Sequence, residues 1–116
     1  MDTITLTLTE KQQQFIAAYF EAVCFTEELE MDEIDSLWVE KQTIECLCFY
    51  NATYFYFPEG TIEQAGCDFW LTRNGHGTGF WDRPEIYGDV LAEKMTKRAE
   101  AFGWGDIITN EEVTYE

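Results

Sequence analysis

The stretch Asp68-Phe69-Trp70-Leu71-Thr72-Arg73-Asn74-Gly75-His76-Gly77-Thr78-Gly79-Phe80-Trp81-Asp82-Arg83 is nearly a mirror image, with Asp-Phe-Trp answered by Phe-Trp-Asp across a glycine-rich centre. Asn-Gly between two aromatic runs is a strong hairpin signal, because a type I′ turn needs positive φ at both central positions. On that reading residues 68–73 and 78–82 are antiparallel strands. Phe69 then faces Trp81 and Trp70 faces Phe80, each pair adding about 0.2–1 kcal/mol. Strand side chains alternate between faces, so one pair enters the core and the other points outward.

On the N-terminal side, Thr9 and Gln12 form a capping box. Phe15, Ile16, Tyr19, Phe20 and Val23 then share one helical face, which predicts a helix over residues 10–25. Glu27, Glu28, Glu30, Asp32, Glu33 and Asp35 follow, an acid density that favours a solvated ridge over a packed element. Asp35 or Ser36 can cap a second helix over residues 36–55, carried by Leu37, Trp38, Ile44, Cys48, Ala52 and Phe55. Strand is the competing reading, since residues 43–57 are rich in aromatic and β-branched side chains. Pro58-Glu59-Gly60 ends this element. Thr61 and Gln64 read as a further capping box, for a short turn closed by Gly66.

Beyond the mirror segment, Val90, Leu91, Met95, Ala99 and Phe102 line a helix over 88–102, closed by Gly103. Residues 106–109 and 113–115 read as a second hairpin around Asn110-Glu111-Glu112. The expected architecture is a single α+β domain spanning 1–116, ordered α-α-β-β-α-β-β, with helices packed on an antiparallel sheet.

Composition narrows the function classes. With 46% hydrophobic residues in 116, the chain can bury a real core despite its charge. No apolar run approaches the roughly 18 residues of a membrane helix. The first ten residues show neither a basic cluster nor an apolar run, so no secretion signal is expected. Cys24, Cys46, Cys48 and Cys67 are then expected as buried thiols of a reducing compartment, with no metal and no cofactor. The formal charge is -16, against roughly 2–8 in magnitude for an ordinary small domain. It opposes direct nucleic-acid binding, which needs clustered Lys and Arg.

The glycine loop offers a second candidate site: Arg73, Asn74, Gly75, His76, Gly77, Asp82 and Arg83. One turn needs one or two glycines, and here Gly75, Gly77 and Gly79 follow one another at every second position. Glycine lets a backbone approach a ligand closely. His76 is the sole histidine and is expected to be exposed, either as an acid or base or as a hydrogen-bond partner of Asp68 or Asp82 that holds the loop shape. Arg73 and Arg83 either clamp an anion or pair with Asp68 and Asp82.

The string from Cys67 to Arg83 resembles a hallmark of small acidic proteins encoded by tailed bacteriophages and mobile elements. The likeness extends to the layout: an amphipathic first helix, an acidic middle, the hairpin, a helix and a closing hairpin. In those proteins a histidine often precedes the aspartate. Cys67 stands there in this sequence, a departure that argues against a two-histidine site. The resemblance implies a setting, the cytoplasm of an infected bacterium.

Three functional readings follow. The leading one is a non-enzymatic binding protein that inhibits or modulates a host protein, such as a defence or nucleic-acid-handling machine with a basic surface. Its carboxylates would imitate a polyanion. The others are an accessory or structural phage protein, and a small ligand binder or enzyme built on residues 74–79. Tyr54, Phe55, Tyr56 and Phe57 are either core or a homodimer patch. No membrane association is expected.

Overall fold

The computed structural model describes residues 7–110, and their architecture is helical. Five helices follow in order: α1 (Glu10–Glu27), α2 (Ser36–Thr53), α3 (Ile62–Arg73), α4 (Pro84–Tyr87) and α5 (Asp89–Glu100), joined by short 3₁₀ turns. The expected α+β class is therefore corrected. Among the described residues the only β contact is an isolated antiparallel bridge between Ile34 and Thr109. Of the second expected hairpin, Thr109 takes that single bridge to Ile34 and residues 106–108 carry no strand assignment, while residues 113–115 lie outside the described residues.

Local chemistry explains the helix ends. The Thr9 hydroxyl accepts from the Gln12 amide while the Gln12 side chain accepts from the Thr9 amide, which starts α1. The Asp35 carboxylate accepts from the Trp38 amide and starts α2. Each satisfies an amide that the helix itself leaves unpaired.

The main correction concerns the mirror segment. Its first half is the C-terminal part of α3, and every residue from 68 to 73 is buried. A half-exposed strand must alternate, whereas a helix enclosed by neighbours is buried all round. Phe69, Trp70 and Phe80 are all interior, and Trp81 alone of the four rings is exposed. The expected cross-strand pairing does not exist.

Asn74-Gly75 is a helix terminus. The Gly75 amide donates to the Thr72 carbonyl and the His76 amide to the Leu71 carbonyl, with Gly75 at φ 64°. This is the two-bond Schellman pattern, which wants glycine at the left-handed position. The dipeptide that suits a hairpin turn suits this ending equally well.

Gly66 does not close a turn; it lies inside α3. A Cβ there would stand 2.2 Å from the Phe15 carbonyl oxygen of α1, so glycine permits the two helices to touch backbone to backbone. Thr61 precedes α3 without capping it, since its hydroxyl donates to the Pro58 carbonyl.

The core forms where α1, α2 and α3 meet, and it is aromatic. Phe49 stacks on Phe69 at 4.2 Å between ring centroids. Trp70 meets Tyr19 and Trp38 edge-on, and Phe80 closes one end against Phe49 and Tyr87. Offset and edge-to-face rings of this kind add about 0.5–1.5 kcal/mol per pair beyond their burial. Of the four thiols, Cys46 is buried, Cys24 and Cys67 are partly buried, and Cys48 is exposed, contrary to expectation.

Candidate functional site

The two arginines of the motif are bound into the fold. Arg73 is buried, and all five of its N–H groups have acceptors. Its Nε donates to the Gly103 carbonyl. Its Nη1 donates to Tyr19 Oη and Gln42 Oε1, and its Nη2 to Glu45 Oε1 at 2.7 Å and the Phe102 carbonyl. The guanidinium also lies 5.3 Å from the Phe69 ring centroid. One side chain thus ties α1, α2, α3 and the chain beyond α5. Burial pushes the Tyr19 phenol well above its ordinary range, although the nearby Arg73 charge opposes the shift.

Asp68 is fully buried and anchors the second half of the motif. Its carboxylate accepts from Arg83 Nε, from Tyr87 Oη at 2.9 Å and from Gln64 Nε2. Burial and then the Asp68 charge push the Tyr87 phenol upward. Of the two roles open to the arginines, both are engaged with protein acceptors. Arg83 pairs with Asp68, while Arg73 pairs with Glu45 and not with an aspartate of the motif.

The other loop residues have structural work as well. Asn74 donates to the Trp70 carbonyl and accepts from the Gly105 amide. Asp82 accepts from the Thr78 hydroxyl. Gly79 lets the chain cross α3, because a Cβ there would stand 2.2 Å from Thr72 Oγ1. Gly77 takes φ 79° in open space. His76 is exposed, beside the Trp70 ring, with Nε2 3.8 Å from Glu27 Oε1. That separation is too long for a hydrogen bond.

Of the six acids of the expected ridge, Glu27, Glu28, Glu30, Asp32 and Glu33 are exposed. Asp35 is buried as the cap of α2 and is removed from that surface. Glu27 and Glu28 end α1, where the helix dipole already presents negative charge. Glu28 is also the sole non-glycine residue with positive φ among the described residues, at 55°. Each choice opposes local stability.

Alongside this ridge lies a groove that the sequence reading missed, of about 860 Å³ between α1 and α3. Ala18 and Ala22 of α1 and Leu71 of α3 supply apolar lining, Phe25 stands at its side with 86% of its surface exposed, and Cys67 opens onto it. Glu21, Glu28 and Glu63 are carboxylates on its border, and His76 and Thr78 bring the glycine loop to it. Ala18, Ala22 and Phe25 form a second stripe on α1, visible at helical spacing in the sequence. Its partner stripe on α3 is invisible once residues 68–73 are read as strand. Burial, then the Asp68 charge, pushes the Cys67 thiol up, which disfavours a nucleophilic thiolate. An apolar surface bordered by carboxylates is equipment for binding. Among the described residues no cluster of His, Cys, Asp or Glu has the arrangement to hold a metal ion, and no helix is long and apolar enough to cross a membrane.

Searches of protein-family models, curated proteins and solved structures returned no match to this chain.

Proposed function

We propose that the protein is a stoichiometric binder of a basic bacterial protein, which it inhibits or modulates through its carboxylate surface. The carrying observation is the placement of charge at the end of α1. Glu27, Glu28, Glu30, Asp32 and Glu33 are exposed in succession, and none of them forms an ion pair with a lysine or arginine among the described residues. Two of them stand against the unfavourable end of the helix dipole, and Glu28 also holds a backbone conformation that disfavours a side chain. Glu33 Oε1 accepts from the Glu30 amide and so helps shape the turn, but folding does not call for the charges of Glu27, Glu28 and Asp32. A cationic partner would relieve them, and electrostatic steering would speed association at low salt. The resemblance to phage-encoded acidic proteins supports a host or defence protein in an infected bacterial cytoplasm as the target.

The test begins with the partner recovered from bacterial lysate on immobilised protein, followed by calorimetry on the purified pair. One-to-one or other fixed stoichiometry is expected, with affinity falling as salt rises through the screening range of about 8–10 Å. Changing Glu27, Glu28, Glu30 and Asp32 to their amides should abolish most of that binding, whereas His76→Ala should leave it nearly intact. If His76→Ala abolishes biological activity in a folded protein that still binds the partner, the binding reading is abandoned for a site on the glycine loop. An acid–base enzyme would lose roughly 10²–10⁴ in rate from that change.

A further inference from the structure

Resting on the binding reading above, we infer that the groove between α1 and α3 seats a basic amphipathic helix of the partner protein. The groove is built from two helix faces. Ala18, Ala22 and Phe25 lie along one side of α1, and Cys67 and Leu71 along the facing side of α3. The helices run in the same direction, since Phe15 touches Gly66 near their starts and Thr26 accepts from Trp70 Nε1 near their ends. Two helices packed side by side leave a channel whose natural occupant is a third helix, docked by its apolar face.

Charge selects which helix. The carboxylates of Glu21, Glu28 and Glu63 border the channel, and no lysine or arginine lines it. An occupant with Lys or Arg flanking an apolar stripe would meet carboxylates on both sides and small or apolar residues beneath. A second copy of this chain fits poorly, because its own helices would bring glutamates against glutamates at a net charge of -16 each. Phe25 is the natural anchor: a large ring, almost wholly exposed, fixed on the last turns of a long helix. The left-handed backbone at Glu28 turns the chain immediately after that ring and sets a carboxylate at the channel's end.

The test uses two synthetic peptides of equal positive charge, each about 18 residues, long enough for several helical turns. One alternates Leu and Lys at helical spacing to give an apolar face, and the other replaces every Leu with Ser. Fluorescence anisotropy of each is measured against the protein and its Phe25→Ala, Glu21→Gln/Glu63→Gln and Glu30→Gln/Glu33→Gln variants. The Leu/Lys peptide should bind, and Phe25→Ala should weaken it roughly tenfold, as loss of an aromatic anchor does. Glu21→Gln/Glu63→Gln should weaken it more than Glu30→Gln/Glu33→Gln, which lies off the groove. Phe25 is exposed, so its loss leaves the core intact, and an unchanged thermal transition confirms that. If both peptides bind equally and Phe25→Ala changes nothing, the groove is overturned while the acidic-surface reading stands. If neither peptide binds at low salt, both fall.

Discussion

Arg83 Nε lies 2.8 Å and 3.0 Å from the two carboxylate oxygens of Asp68, which joins the first and last charged residues of the mirror segment through the protein interior. The pair fastens the chain after the glycine loop to the central helix, and Tyr87 adds a third hold on the same carboxylate. Asp68→Ala should cost about 3 kcal/mol or more, because Arg83 and Tyr87 lose their shared buried acceptor. Chemical denaturation checks this. Asp68→Asn should recover part of the loss, since an amide oxygen still accepts.

Arg73→Lys should be no conservative change. An ammonium has three donors on a point, whereas five acceptors surround the flat guanidinium. At least two of the five bonds are lost. Tyr19 Oη still serves Gln42 Oε1, so the cost falls on whichever of the Gly103 and Phe102 carbonyls and the Glu45 carboxylate the lysine does not reach, at about 1–3 kcal/mol for each buried group. A midpoint in urea close to that of wild type would contradict the role assigned to Arg73.

The glycines should differ sharply under substitution. Gly66→Ala drives a methyl group against the Phe15 carbonyl oxygen, and backbone cannot step aside cheaply. It should cost about 1–3 kcal/mol or more. Gly77→Ala meets no atom within 4 Å and incurs only the left-handed backbone penalty, about 1–2 kcal/mol. Paired thermal melts would rank the two, with Gly66→Ala the lower.

Glu28→Gly should stabilise the fold. The residue ends α1 in the left-handed region, where its amide neighbour Leu29 donates to the Cys24 carbonyl. Glycine removes the strain there and one charge beside the helix's negative end, for a gain of about 0.5–1 kcal/mol after its greater unfolded entropy. The same change should weaken binding to a basic partner. A variant that gains stability and loses affinity would separate the two roles of Glu28.

Alkaline pH should unfold the protein. Tyr19 and Tyr87 hold their protons in the folded state above the ordinary phenol range, mainly through burial. Unfolding therefore releases a proton from each once the pH exceeds about 10. The contribution of the two phenols is fully present below that value and falls as pH rises, by about 1.4 kcal/mol per pH unit for each. The thiols of Cys46 and Cys67, also raised by burial, begin to act in the same direction at lower pH. Tyr87→Phe should flatten this slope, although it also removes a hydrogen bond to Asp68. Circular dichroism against pH from 9 to 12 would show the transition move.

The amino-acid sequence by itself determined α1, α5, the start of α2 and the acidic character of the surface, because these are written locally. The expected apolar stripe of α2 is wrong, since Leu37, Ile44, Cys48 and Phe55 are exposed and Gln42, Cys46, Phe49 and Tyr50 face the core. The Thr9 and Asp35 caps and the stripe from Phe15 to Val23 act within a few residues of themselves, as do the apolar positions from Leu91 to Ala99. Tertiary structure alone decided the segment from Asp68 to Arg83. Asn74-Gly75 satisfies a type I′ turn and a Schellman ending equally, and aromatic residues accept either strand or helix. The choice came from distant partners: α1 reaching Gly66, Tyr19 and Gln42 meeting Arg73, and Phe49 stacking on Phe69. Those contacts enclose the segment on every side, and only a helix satisfies its own backbone when no neighbouring strand is present to do so.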